Sequence, residues 1–377
     1  MGAHLLTVTD WSSLVRPSLV GLEPYRPGPS VSELRKEHGL DEIAKLNWNE
    51  DLFGPLPGAL DAVKDELVNA WMYPEQAYSD LREAVAGWLE LPPDTIVPAH
   101  GIQALIAAVA HAFIREGDTV VVPQPTYGLY AQVSAGAGAR VVRIPNRDFR
   151  LDLPALVDAA RTESARLIWI CDPNNPTGSL IEQDEWSEFV SALPEGTVAV
   201  VDEAYREYVD PERRVAREAD VQAGRPVVLL RTFSKIFGLA GLRLGYAVAH
   251  QELAPFLDVV QEPFNVNRAA LAAGRACLAY PERIDERRRE SGEARALLAR
   301  LLAEAGIGSL PSDANFLLAH VGGDDAALAG ELVVRGFLVR PGSEFGLDGW
   351  VRVTVGPPPL MERFARELAA VREAIPR

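Results

Sequence analysis

Six short runs of aliphatic and β-branched residues, at 119–122, 139–144, 166–171, 197–202, 227–231 and 244–249, dominate the middle of this chain. Several are apolar almost throughout rather than alternating, which is the pattern of strands covered on both faces. Helical patterns around 127–137, 153–160 and 183–191 lie between most of them. Strand–helix–strand alternation predicts an α/β fold built on a mainly parallel sheet. Upstream, helix-like stretches cover 57–70 and 78–89, and 101–114 reads as a helix apolar on most faces, hence buried.

The flanks differ in texture. Residues 1–50 are irregular and rich in Pro and Gly, as in an arm lying over a body. From Pro281 a long charged helix (284–305) leads to strand candidates at 315–320, 336–339 and 350–354 and a helix from Pro359. A chain of 377 residues exceeds one small core. The expected division is therefore an arm (1–50) packing with a smaller α+β domain (281–377), and a large domain between them (51–280).

Charge narrows the partners. With 37 basic and 53 acidic residues the net charge is −16, so the surface as a whole repels nucleic acid and anionic membrane. An anionic ligand then needs a local cluster of cations and helix N-termini. Cys171 and Cys277 form no disulfide framework or zinc spacing, which fits a reducing cytoplasm. No run approaches the roughly 20 apolar residues of a membrane span, and Met1–Arg377 opens without a basic-then-apolar leader. A soluble cytoplasmic enzyme is expected, and no metal site.

In open α/β sheets ligands sit beyond the carboxyl ends of the strands. After 166–171 comes Asp172-Pro173-Asn174-Asn175-Pro176-Thr177-Gly178, which by itself has the composition of an ordinary turn. After 197–201 comes Asp202-Glu203-Ala204-Tyr205. A carboxylate ending a buried strand is costly unless something cationic meets it, and a structural Arg would suffice. After 227–231 comes Thr232-Phe233-Ser234-Lys235, then Gly238-Leu239-Ala240-Gly241-Leu242-Arg243-Leu244-Gly245. Hydroxyls with an Arg make an oxyanion site, and a lysine beside them suits a Schiff base or is simply a solvated charge. Together, an acid, an Asn, a Lys, hydroxyls and an Arg following strands of one sheet form the set that pyridoxal 5'-phosphate requires: an amine for its aldehyde, an acid for its ring nitrogen, a donor for its phenolic oxygen and cations for its phosphate.

Asn174-Asn175-Pro176-Thr177-Gly178, Asp202-Glu203-Ala204-Tyr205 and Ser234-Lys235 with the glycine-rich run after it resemble, in this order, the signatures of class I/II aminotransferases of the fold-type-I pyridoxal-phosphate-dependent transferases. The histidinol-phosphate aminotransferase group is the nearest match. Leu22-Glu23-Pro24-Tyr25, Asn49-Glu50-Asp51-Leu52-Phe53-Gly54-Pro55, Tyr73-Pro74, Pro125-Thr126-Tyr127-Gly128 and Val351-Arg352-Val353-Thr354-Val355-Gly356 extend the likeness from about residue 15 to the end.

The resemblance implies roles. Lys235 would carry the cofactor as a Schiff base and shuttle the proton. Asp202 would hold the ring nitrogen protonated, Asn175 and Tyr205 would bond the phenolic oxygen, and Tyr127 would stack on the ring or be an ordinary core aromatic. Thr232, Ser234, Arg243 and the backbone N–H groups of Gly101, Ile102 and Gln103 at a helix start would hold the phosphate. Tyr73 would reach that phosphate from a second subunit, which implies a homodimer. Arg352, with Tyr25 and Arg340, would meet the substrate. The implied reaction is ping-pong transamination between a small-molecule amino donor and a 2-oxo acid, with 2-oxoglutarate and glutamate as the second pair. Histidinol phosphate is the first candidate donor and aromatic amino acids the next. A decarboxylase of the threonine-phosphate type is an alternative on the same scaffold.

This chain departs from the group's pattern in three places. Gly101-Ile102-Gln103-Ala104 lacks the usual acidic residues, Asp51 and Leu52 stand where the group has Asn and Pro, and Phe264 stands where it has a Tyr. The last change, which removes a hydroxyl, would favour an aromatic or apolar donor.

Overall fold

A computed structural model describes residues 10–24, 28 and 30–374. Ser30 opens the first α-helix, Val31–His38, with a reciprocal capping box to Glu33, and Gly39 closes it with a left-handed φ of 66°. Leu34 on that helix packs with Ile43 and Val333, so residues near the N-terminus lie against the C-terminal part of the chain. A two-residue strand, β1 (Ala44–Lys45), follows.

Seven strands form the main sheet: β2 (Ile96–Ala99), β3 (Thr119–Gln124), β4 (Arg140–Pro145), β5 (Leu167–Cys171), β6 (Val198–Asp202), β7 (Val227–Thr232) and β8 (Gly245–Val248). Their order is β2-β8-β7-β6-β5-β3-β4. Only β8 runs against the others, pairing antiparallel with both β2 and β7. The central strands β5, β6 and β7 are buried, apart from the half-buried Val198 at the start of β6, because helices cover both sides, as their apolar sequences require. The strand β2 was not foreseen. It is only four residues long and includes Pro98, which reads locally as a breaker, and it pairs with a strand about 150 positions later.

A second apolar core lies under a four-stranded antiparallel sheet. Its strands are β9 (Gly308–Ser309), β10 (Phe316–His320), β12 (Arg340–Pro341) and β13 (Trp350–Thr354), and β11 (Phe337–Leu338) pairs instead with β1. The strand expected at 336–339 is β11, and β12 just after it belongs to a different sheet. The helices Pro281–Glu304 and Pro358–Ala374 cover this core. No helix among the described residues is long and apolar enough to cross a membrane.

The parallel register aligns the strand ends. Cys171 stands opposite Asp202, and Asp202 opposite Leu230. The segments after β5, β6 and β7 therefore leave the sheet along one edge.

Candidate active site

That edge opens into a cleft of about 940 Å³. Lys235, Asp202, Asn175, Tyr205, Thr232, Ser234, Arg243, Ile102, Gln103, Tyr127, Arg340 and Arg352 all line it.

Lys235 follows β7 and its Nζ donates to the backbone carbonyls of Trp48 (3.0 Å) and Asn49 (2.8 Å). Burial disfavours its charged form and lowers its pKa to about 8, against the pull of the Glu50 carboxylate. Asp202, at the end of β6, is 3 % exposed. Its Oδ2 accepts from the Tyr130 hydroxyl at 2.6 Å and its Oδ1 from the Ala204 N–H at 3.0 Å. Burial raises its pKa to about 6 despite those bonds.

The cation expected for the carboxylates of this strand end goes to the neighbour. Glu203 receives Arg217 Nη1 (2.8 Å) and Arg231 Nε (2.8 Å), and Arg217 also reaches Asp172 (2.5 Å). Burial opposes the Glu203 charge, but Arg231, Arg217 and Arg206 outweigh it and hold its pKa below the usual carboxylate range. Asp202 is thereby left to face the cleft with a tyrosine and a backbone amide as its hydrogen-bond partners. The same network ties the loop that carries Asn174 and Asn175 to β6.

Asn175 Oδ1 accepts from Arg352. A guanidinium only donates, so the oxygen takes that bond and the amide nitrogen of Asn175 remains a donor. The Tyr205 hydroxyl accepts from Asn49 Nδ2 at 3.0 Å, which leaves its own proton to donate. Tyr127 is packed edge-on to Tyr130 at 5.5 Å and accepts from Gln103 Nε2 at 3.0 Å. The amide that replaces an acid at position 103 is thus bound to the aromatic residue beside it.

The helix Gly101–Phe113 begins beside Arg243. Gly101 has a φ of +78°, and a Cβ on it would lie 2.9 Å from Arg243 Nη2. The guanidinium lies against this glycine and donates to Ser234 Oγ (3.4 Å), whose backbone N–H in turn donates to Thr232 Oγ1 (3.0 Å). Two hydroxyls, a guanidinium and a helix start converge there, as an oxyanion site requires.

Tyr73 is 79 % exposed and outside the cleft of its own chain, stacked on Phe264 at 4.9 Å. Phe264, expected to bias the donor pocket, is likewise outside the cleft of its own chain. Tyr25 lies outside the described residues. In turn, Asn49, Glu50, Tyr130 and Glu344 line or bound the cleft without having been singled out as site residues. Asn49 has a φ of 57°, a conformation for which Asn is one of the few favoured residues, and that was its local signal.

Residues 41–368 match the family of class I and II aminotransferases. The histidinol-phosphate aminotransferase of Symbiobacterium thermophilum is 39 % identical over 358 residues, which is 95 % of this chain and 98 % of that protein. That of Moorella thermoacetica is 36 % identical, covering 94 % and 92 %. The crystal structure of histidinol-phosphate aminotransferase from Sinorhizobium meliloti, in complex with pyridoxal-5'-phosphate, superposes with a TM-score of 0.88 at 30 % identity, over 96 % of this chain and all of that one. The fold is that of the type I pyridoxal-phosphate-dependent transferases. The chain belongs to the class I and II aminotransferase family, whose enzymes use pyridoxal 5'-phosphate. The residues present fit this cofactor: the Gly101–Arg243 contact has no room for a Cβ, the donors around it suit a phosphate, and an acid and an amine line the same cleft.

Proposed function

We propose that this enzyme transfers the amino group of L-histidinol phosphate, with 2-oxoglutarate and glutamate as the second pair. The observation that carries the reading is the register of Arg340 opposite Arg352 on β12 and β13. Residues directly opposite in an antiparallel pair share one face of the sheet, so two guanidiniums stand side by side in the cleft that holds Lys235. Such a pair suits a phosphate monoester, and equally a dicarboxylate acceptor.

When bound, pyridoxal 5'-phosphate supplies an aldehyde that takes up an amino group and a ring that withdraws the electron pair left by loss of a proton. Lys235 would hold it through Nζ, Asp202 through its ring nitrogen, and Asn175 and Tyr205 through its phenolic oxygen. Thr232, Ser234, Arg243 and the N–H groups of Gly101, Ile102 and Gln103 would hold the phosphate, with Tyr127 over the ring. Lys235 Nζ, released when the donor's amino group takes its place on the cofactor, would move the proton from the carbon bearing that amino group to the cofactor carbon that Nζ had held, a task its depressed pKa suits. Arg352 orients the substrate from a site 5 % exposed, where water competes little for its charge.

The reading includes three further elements. The division into arm, large and small domains at residues 50 and 280 accords with the two separate cores. A homodimer is supported by the exposed Trp71 and Tyr73, with Tyr73 of one chain serving the phosphate site of the other, and with Tyr25 meeting the substrate. The place of action is the cytoplasm.

The test is a single-turnover spectrum of the cofactor-loaded enzyme mixed with L-histidinol phosphate in the absence of any 2-oxo acid. Conversion of the cofactor band to its amine form, reversed by 2-oxoglutarate, is the expected result. No conversion with histidinol phosphate but conversion with phenylalanine or tyrosine would sink the donor assignment, and release of carbon dioxide would sink transamination.

A further inference from the structure

We infer that Glu344 is a resident anion that competes with the substrate for Arg340 and so sets how strongly the cleft prefers ligands with a second negative charge. The inference rests on the reading above that Arg340 serves the substrate's distal anion.

Arg340 and Arg352 are register partners, and both guanidiniums lie against the Phe345 ring, at 5.9 and 5.3 Å from its centroid. Like charges side by side on one sheet face repel, so each needs a counterpart in the free enzyme. Arg352 donates to Asn175 Oδ1 and to the Asn47 carbonyl. Arg340 instead meets a full negative charge, with Glu344 Oε2 2.5 Å from its Nη2. Both residues of that pair line the cleft. The bond leaves part of the guanidinium unsatisfied, because Arg340 Nε is buried with no hydrogen-bond partner among the described residues.

The backbone holds Glu344 in place. It sits on the tight turn Gly342–Phe345, directly after β12. At Gly342 a Cβ would lie 2.3 Å from the Leu347 carbonyl, so the turn is packed against the chain that follows it. Asp325 fastens both ends, accepting from the Ser343 N–H (2.8 Å) and the Gly349 N–H (3.0 Å). The Glu344 side chain is nonetheless 45 % exposed, against 17 % for Arg340, so the carboxylate can leave while the guanidinium stays.

A donor with an uncharged side chain leaves the pair intact, since Arg352 alone can meet its one carboxylate. A dicarboxylate or phosphate ester must take Arg340 from Glu344 and then sit beside the displaced carboxylate. Removing the Glu344 charge should therefore tighten dianions selectively.

The experiment is calorimetric titration of the cofactor-loaded enzyme with glutarate, an unreactive dicarboxylate, in the native chain, Glu344→Gln and Asp348→Asn. The last removes one charge from an exposed position of the same segment and controls for net charge. Glu344→Gln should bind glutarate about two- to fivefold more tightly, the range expected when a half-exposed ion pair is released. It should also lower KM for 2-oxoglutarate while kcat stays within about twofold, a split that a general loosening of the turn would not produce. Unchanged or weaker glutarate binding, equal tightening in Asp348→Asn, or no glutarate binding by any of the three proteins would overturn the inference. The donor assignment fails separately, by the absence of conversion of the native enzyme with L-histidinol phosphate.

Discussion

The hydroxyl of Tyr130 donates to Asp202 Oδ2 at 2.6 Å while its ring lies parallel to the fully buried Trp169, 5.1 Å away. Trp169 is fixed in turn by its indole N–H, which donates to Ser134 Oγ at 3.1 Å. The acid at the end of β6 is thus oriented by a side chain whose position is decided by packing behind the sheet. Its pKa, raised by burial to about 6, would be higher without that bond. Acidification through about pH 6 should therefore weaken cofactor binding to the native chain, because a protonated Asp202 no longer favours a protonated ring nitrogen. In Tyr130→Phe the same weakening should begin at a higher pH. Fluorescence titration of the cofactor across pH 5–8 distinguishes the two (about three pH units covers both arms of the transition), and coincident profiles would remove Tyr130 as the tuning group.

Asp202→Ala should lower cofactor affinity by about 10- to 100-fold, the loss expected for a hydrogen bond to a charged group. Turnover under saturating cofactor should fall as well, since the neutral ring withdraws electrons poorly. Near-native affinity and rate would mean that another group meets the ring nitrogen.

Lys235→Ala should retain a folded chain that takes up cofactor without covalent attachment. Turnover should drop by at least about 10²–10⁴, the usual contribution of a positioned proton-transfer group. Stopped-flow absorbance with the amino donor reads this directly, and native turnover would remove Lys235 from the mechanism.

The depressed Lys235 pKa makes a stability prediction for the cofactor-free chain. The folded state binds this proton more weakly than the unfolded state, with a pKa of about 8 against the ordinary 10.5. Lys235 therefore destabilises the fold below about pH 8, and the effect fades as pH rises toward 10.5. Lys235→Met should raise Tm at pH 7 and raise it less at pH 10. An equal gain at both values would mean that the burial of the ammonium is not the cause.

Gly101→Ala should strain a φ of +78° and drive a methyl against Arg243 Nη2. A cost of about 1–3 kcal/mol is expected for a left-handed non-glycine residue held in place. Because the guanidinium must shift, cofactor phosphate affinity should fall together with Tm. Competition by inorganic phosphate for the cofactor site measures it, and a Tm loss with unchanged phosphate competition would place the strain outside the phosphate cradle.

Glu203→Gln should destabilise without touching the cleft. It leaves Arg231 and Arg217 buried with half their countercharge removed, and breaking a buried pair in this way costs about 3–5 kcal/mol. Urea unfolding reports it, and a loss below about 1 kcal/mol would mean that Asp172 and Glu218 suffice to hold the two arginines.

Much of this was legible in the chain before its structure. Asp202, Lys235 and Asn175 each follow an apolar run within a few residues, and a strand end in an open α/β sheet is where a ligand can be reached. Other features carried no local mark. Ile96–Ala99 is short and holds a proline, and it becomes a strand because β8 offers it a ladder. Tyr130 reads as one aromatic residue of a helix, and its link to Asp202 spans 72 positions. The Trp48 and Asn49 carbonyls that receive Lys235 are backbone atoms, which no residue type announces. Tyr73 and Phe264 stack on each other outside the cleft of their own chain, a pairing across about 190 positions that no local pattern announces.

The sequence by itself determined the alternation of strands and helices, the family, and which side chains carry the chemistry, because hydrophobic period and residue type are local properties. Tertiary structure alone decided which carboxylate meets a cation and which faces the cleft. Asp202 and Glu203 are neighbours on one strand end, and only the packing of Arg217 and Arg231 on one side and Tyr130 on the other distinguishes them. It decided likewise that Arg340 stands beside Arg352 and is held by Glu344, since register and the path of a turn follow from contacts between distant parts of the chain.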